Sequence, residues 1–86
     1  MTTANKKVAI VTGGGSGIGY AITEKFISAG IHTVIVGRDE EKLKSAKEKL
    51  GELCYPIACD ISDLKLIPGL VEGIVNKFGQ VDILVN

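Results

Sequence analysis

Five of the seven residues from Gly13 to Gly19 are glycine, in the run Gly13-Gly14-Gly15-Ser16-Gly17-Ile18-Gly19. Positions without side chains let an anion come close to backbone N–H groups, and a loop that opens a helix aims those groups at it. The chemistry within reach is therefore phosphate binding, and the spacing decides which kind. A mononucleotide loop needs Gly-x4-Gly followed by Lys and Ser or Thr. After Gly14 and Gly19 the chain continues Tyr20-Ala21, with no lysine for a terminal phosphate and no hydroxyl for magnesium. The common dinucleotide pattern Gly-x-Gly-x-x-Gly fails as well, because its last glycine would fall on Ile18 or Ile22. What fits is Thr-Gly-x-x-x-Gly-x-Gly, on Thr12, Gly13, Gly17 and Gly19. The plain alternative is a flexible glycine turn between a strand and a helix.

A second group lies about 20 residues further on, where an NAD site places a carboxylate against the ribose hydroxyls. Here that position is Gly37, followed by Arg38, the single arginine among ten basic residues. A carboxylate would repel a ribose 2′-phosphate, whereas a guanidinium pairs with one, often through two hydrogen bonds. Arg38 thus favours NADP over NAD. Its plain alternative is a solvated loop charge beside Asp39, which could itself reach a ribose if the loop bends.

Other candidates carry less. Cys54 and Cys59 fall at an odd spacing in an extended segment, on opposite faces and roughly 16 Å apart, too far for a disulfide. There is no CxxC and no His/Cys cluster, so a metal has no support. His32 opens a predicted strand and reads as a surface or turn residue. Ten basic and ten acidic side chains cancel, which gives no electrostatic reason to expect nucleic acid or a membrane surface as partner. The start is polar, and the apolar run Val8 to Val11 is too short for a signal-peptide core or a membrane span. A cytoplasmic location is the expectation.

The elements that would position these groups alternate. Lys7 to Thr12 and Thr33 to Val36 are continuous apolar, β-branched runs, as in strands buried on both faces of a parallel sheet. Ile18, Ile22, Phe26 and Ala29 fall at helical spacing, with Gly30 as the stop. Asp39 to Gly51 is the clearest helix: Asp39 caps it, Glu40 and Glu41 sit in the first turn, and Leu43, Ala46 and Leu50 form its apolar stripe. Lys47 and Lys49 close it before Gly51. Leu53 to Ala58 is a third strand, placed at a sheet edge because Pro56 cannot donate a ladder hydrogen bond. A fourth helical region begins near Ser62 or Asp63, with its regular part starting at Pro68 and Leu70, Val71, Ile74 and Phe78 buried. Val81 to Val85 is the fourth strand. The order β-α-β-α-β-α-β means an α/β fold with a parallel sheet and right-handed crossovers. Residues 1–86 are expected to form one partial dinucleotide-binding domain.

At Thr12 to Gly19 the sequence resembles the short-chain dehydrogenase/reductase family. The resemblance extends through Cys59-Asp60-Ile61-Ser62-Asp63 and through Phe78 to Asn86, which is similar to the lead-in to that family's Asn-Asn-Ala-Gly motif. It implies a doubly wound Rossmann-type sheet, with these four strands in the order 3-2-1-4. It further implies that Gly13, Ser16, Gly17, Ile18 and Gly19 surround the phosphates and adjacent ribose of NADP. Thr12 would bond within the loop. Asp60 would accept from the adenine amino group, with Ile61 beside the ring, or would serve only as a turn or helix cap. Asn86 would lie near the cofactor or brace the sheet.

The family's catalytic serine, tyrosine and lysine are not matched. Tyr20 is followed four residues on by Glu24, and Tyr55 by Cys59, so neither begins Tyr-x-x-x-Lys. No catalytic residue is therefore assigned, and the chain alone is expected to be inactive. The expectation is the cofactor-binding front part of an NADP(H)-dependent oxidoreductase acting on a carbonyl or alcohol, with a homo-oligomeric parent. The alternatives are a stand-alone nucleotide-binding module and a fragment that completes a sheet in another chain.

Overall fold

The two runs with the densest β-branched character become the two inner strands of a four-stranded sheet. In a computed structural model that describes residues 7–15, 17–60, 62 and 64–85, these are β1 (Val8–Thr12) and β2 (His32–Gly37). They pair in parallel from Val8 opposite His32 to Thr12 opposite Val36. β3 (Cys54–Ala58) flanks β2, and β4 (Ile83–Val85) flanks β1, giving the order β3-β2-β1-β4 with every pairing parallel. Three helices connect them: α1 (Gly17–Ser28), α2 (Glu40–Leu50) and α3 (Ile67–Phe78), the last preceded by a 3-10 turn at Leu64–Leu66. This is the doubly wound Rossmann-type arrangement. β3 lies at the edge that Pro56 implied.

Alternation along the strands divides the core into two layers. Val8, Ile10, Val34 and Val36 pack against Ile74 of α3, while Ile35 and Cys54 pack against Leu43 and Ala46 of α2 with Tyr20 and Ile27 of α1. Cys54 belongs to the α1/α2 layer and Cys59 to the α3 layer; both thiols are unbridged. Burial raises the Cys54 thiol above its ordinary pKa, with a smaller opposing pull from Lys47.

Several local expectations shift. In α1 the buried position is Thr23, while Ile18 is 81% exposed and Ala29 lies past the last helical residue. The helix starts at Gly17, so Ile18 sits in its first turn, and the inward face passes through Tyr20, Thr23 and Ile27. Thr23 is tolerated there because its hydroxyl donates to the Gly19 carbonyl at 2.8 Å. In α3 the helix starts at Ile67, one residue before Pro68, and Val71 turns outward. β4 is shorter than Val81 to Val85. The Val8 N–H, which would bond a β4 carbonyl, is taken by Asp82 Oδ2 at 2.8 Å, and the ladder starts at Ile83. His32 is no bland turn residue. Its ring stacks on Tyr55 with centroids 5.8 Å apart, and Nδ1 lies 3.1 Å from the Tyr55 hydroxyl.

Candidate functional site

The glycine loop leaves β1 at Thr12 and enters α1 at Gly17, at the carboxyl end of the sheet. Its glycines are required for two different reasons. Gly13 and Gly17 have φ of 71° and 59°, and a side chain at either would point into space with no atom within 4 Å. These two positions need the left-handed conformation and leave the front of the loop open. Gly14 and Gly19 instead need the absence of a Cβ. At Gly14 it would stand 2.5 Å from Ile35 Cγ2, and at Gly19 2.7 Å from the Gly13 carbonyl carbon. Gly14 was not among the sequence-assigned site residues. Its requirement comes from Ile35 on the neighbouring strand, which no local pattern reveals.

Gly13 does not offer its amide to a ligand. Its N–H donates to the Val36 carbonyl at 2.7 Å, so it ties the loop to the end of β2. The amide surface directed at an anion is therefore narrower than positions 13, 17 and 19 together. It centres on the opening turn of α1, where the helix carries no acidic residue to oppose negative charge. The Thr12 hydroxyl was expected to bond inside the loop. One of its bonds crosses to the Val85 carbonyl at 3.3 Å and ties the loop to β4.

The end of β2 faces the same opening. Gly13, Gly15, Gly37, Arg38, Asp39, Lys42 and Leu43 line a cavity of about 250 Å³. Arg38 is solvent-exposed on its wall. Asp39 is committed to α2: its Oδ1 accepts the N–H groups of Glu41 at 3.1 Å and Lys42 at 3.2 Å, the N-cap expected from the sequence. At the far end of the helix, Gly51 closes it with φ of 90°. Lys42 and Gly15 were not singled out from the sequence, since a lysine in an exposed helical turn carries no local signal of facing a loop 27 residues earlier.

Asp60 follows β3. The Cys59 N–H donates to the Gly37 carbonyl at 2.8 Å, which brings this segment alongside the end of β2. Asp60 Oδ1 accepts the Ser62 N–H at 3.0 Å and the Ser62 hydroxyl. These two hydrogen bonds hold its carboxyl below the usual carboxylate range, and the charge of Arg38 adds a smaller pull in the same direction. The turn role is thus present, and it occupies one carboxylate oxygen. Ser16, Ile61 and Asn86 lie outside the described residues. Among the described residues no group of three His, Cys, Asp or Glu side chains could hold a metal, and no helix is long and apolar enough to cross a membrane.

A family model for short chain dehydrogenases matches residues 7–86. The chain belongs to the short-chain dehydrogenase family. Among its curated relatives, the peroxisomal 2,4-dienoyl-CoA reductase of Mus musculus is 43% identical over 84 residues, covering 93% of this chain. The chain spans 29% of that reductase's length. Among solved structures, a metagenomic short-chain oxidoreductase in complex with NADP is 36% identical with a TM-score of 0.85, over 91% of this chain and 37% of that one. The 3-ketoacyl-(acyl-carrier-protein) reductase of Brucella melitensis complexed with NADH is 38% identical with a TM-score of 0.83, over 91% of this chain and 32% of that one. Short-chain dehydrogenases of similar backbone therefore include complexes with either dinucleotide.

Proposed function

We propose that this chain binds a nicotinamide dinucleotide, with preference for NADP(H), as part of an oxidoreductase that interconverts a carbonyl and an alcohol. The observation that carries the preference is the cavity between the glycine loop and the end of β2. Arg38 lies exposed on its wall, and the carboxylate that shares the lining, Asp39, is held by the first amides of α2. An open loop front at Gly13 and Gly17 fits a diphosphate, since any side chain there would fill the approach.

In this reading Ser16, Gly17, Ile18 and Gly19 surround the diphosphate and adjacent ribose. Gly13 shapes the turn, and Arg38 pairs with the 2′-phosphate. Asp60 accepts from the adenine amino group through the oxygen not used by Ser62, with Ile61 beside the ring, and Asn86 lies toward the nicotinamide side. The bound dinucleotide supplies or accepts hydride. These 86 residues contain no Tyr-x-x-x-Lys pair, so the acid that protonates the carbonyl oxygen comes from residues other than these. The working protein is a cytoplasmic homo-oligomer with no nucleic-acid or membrane partner. A second reading, a module that completes another chain's sheet, draws on the outer edge of β4, where Leu84 is 65% exposed.

Titration of the chain and of Arg38→Ala with NADPH and NADH tests the proposal. The wild type binds NADPH more tightly and melts cooperatively at a temperature that NADPH raises. Loss of a hydrogen-bonded charge pair, about 1.5–3 kcal/mol, weakens NADPH by roughly tenfold or more and leaves NADH nearly unchanged. Unchanged NADPH affinity in the variant removes Arg38 from the site.

A further inference from the structure

We propose that Thr23 is a positioning residue for the glycine loop: its buried hydroxyl fixes the Gly19 peptide, and with it the amides of the opening turn of α1 that receive a dinucleotide's diphosphate. The proposal rests on the dinucleotide reading above and holds whichever dinucleotide is preferred.

Among the described residues the buried polar side chains are Thr23 and Thr33, both 0% exposed. A threonine buried inside a helix is a costly choice for packing alone. Its β-branch lowers helix propensity, and its hydroxyl must find a partner. Thr23 finds one on the loop side, donating to the Gly19 carbonyl at 2.8 Å. In a regular helix that carbonyl takes the N–H of the residue four positions on. The hydroxyl adds a second bond to the same oxygen and sets the tilt of the peptide. Thr33 finds its partner locally, donating to the Ile31 carbonyl at 3.0 Å at the amino end of β2.

Thr23 also touches the other limb of the loop. A Cβ at Gly14 would stand 3.1 Å from Thr23 Oγ1, and one at Gly19 would stand 3.1 Å from Gly14 Cα. Gly14 leaves β1, Gly19 enters α1, and the Thr23 hydroxyl lies against both. Such a strut matters because the loop has few side chains of its own to hold it. Five of its seven residues are glycine, whose backbone is the most permissive. Its geometry is therefore imposed from outside. The Gly13 N–H ties the entrance to Val36, and the Thr12 hydroxyl makes a bond to Val85. Thr23 ties the exit, where the first amides of α1 point outward. Amides held in place before the ligand arrives need no ordering on binding, which favours affinity. With Thr23 fully buried, water cannot replace the hydroxyl once it is removed.

The experiment titrates NADPH and NADH calorimetrically into the wild type, Thr23→Val, Thr23→Ser, Thr23→Ala and Thr33→Val, with a thermal melt of each. Thr23→Val keeps the branched shape and removes the hydroxyl. It is expected to weaken whichever dinucleotide binds more tightly by about three- to tenfold, with a nearly unchanged melting midpoint. Thr23→Ser keeps the hydroxyl and removes a buried methyl group, so its midpoint falls while its affinity is retained. Thr33→Val retains affinity. A role confined to packing gives the reverse pattern, with affinity following the midpoint in both Thr23 variants, and that result overturns the proposal. So does an unchanged affinity in Thr23→Val, or an equal loss in Thr33→Val. If Thr23→Val does not fold, Thr23→Ser and Thr23→Ala decide, since they differ by one hydroxyl: weaker binding in the alanine variant supports the proposal, and equal affinities overturn it. In each of these cases the wild type binds and the dinucleotide reading stands. A wild type that binds neither dinucleotide overturns both together.

Discussion

The two ends of the sheet are built on opposite plans. At the carboxyl end, side chains are withdrawn. Gly13, Gly14, Gly17 and Gly19 carry the chain from β1 into α1, and an open cavity separates that loop from Arg38 and Lys42. At the amino end, side chains close the structure. His32, Tyr55 and Phe78 join β2, β3 and α3, with the Tyr55 and Phe78 rings edge to face at 4.8 Å and the Lys47 and Lys77 ammonium groups each 5.4 Å from the Tyr55 centroid. Parallel strands separate the two ends, so one can be open and polar while the other supplies packing. Binding at the carboxyl end is the general pattern of such sheets. In this chain the closed end gives that pattern a structural counterpart.

The largest expected effect tests whether the open end is held together by close backbone approach. Gly19→Ala drives a methyl group into the Gly13 carbonyl, which has no side chain to move aside. A loss of about 3 kcal/mol in urea unfolding is expected, at the upper end for an overpacked site. Gly17→Ala is the contrasting change. Its φ of 59° costs about 1–2 kcal/mol, but its methyl meets no neighbour, so dinucleotide affinity falls more than stability does. Similar stability losses in both variants would erase the distinction between packing glycines and turn glycines.

The closed end gives a smaller effect of opposite character. Tyr55→Phe removes the hydroxyl 3.1 Å from His32 Nδ1 and keeps the ring contacts. A loss of about 1 kcal/mol is expected, with dinucleotide affinity unchanged. A change in affinity would show that the two ends are coupled through β2 and β3, and the division between them would fail.

Much of this plan is legible along the chain because it is encoded locally. The α2 helix carries its cap, charged turns, apolar stripe and stop within 13 residues, and the structure keeps all of them. Pro56 identifies the edge strand without reference to any partner. The strand order followed from the resemblance to the short-chain dehydrogenases. What escaped depends on partners distant in sequence. The inward face of α1 is set by how the helix leaves the loop, so Thr23 is buried where an apolar count favours Ile22. Gly14 is constrained by Ile35, Lys42 by the cavity opposite Gly15, and His32 by Tyr55 and Phe78. None of these partners lies within a helical turn or a strand repeat, the only periods a single sequence displays.

Asp82 gives the smallest expected effect and the one most specific to pH. Its Oδ2 accepts the Val8 N–H at 2.8 Å and Gln80 Nε2 at 2.6 Å, so it latches the start of β4 onto β1. The Val8 bond first, then the Gln80 bond, holds its carboxyl below the ordinary range. A carboxyl with a folded pKa below its unfolded value of about 3.9 stabilises the fold fully above that value. That contribution is lost as pH falls through the folded pKa. Asp60 is shifted the same way at the other end of the sheet, by its bonds from Ser62. Asp82 is exposed and Asp60 only partly buried at the rim of the sheet, so each contribution is small. In acid titrations of stability, Asp82→Asn should flatten part of the decline below about pH 4 and leave dinucleotide affinity at neutral pH intact. Asp60→Asn should flatten a similar part and, by its proposed contact with the adenine amino group, weaken the dinucleotide as well. An Asp82→Asn protein with the wild-type acid profile would mean that the β1–β4 latch does not depend on the carboxylate's charge.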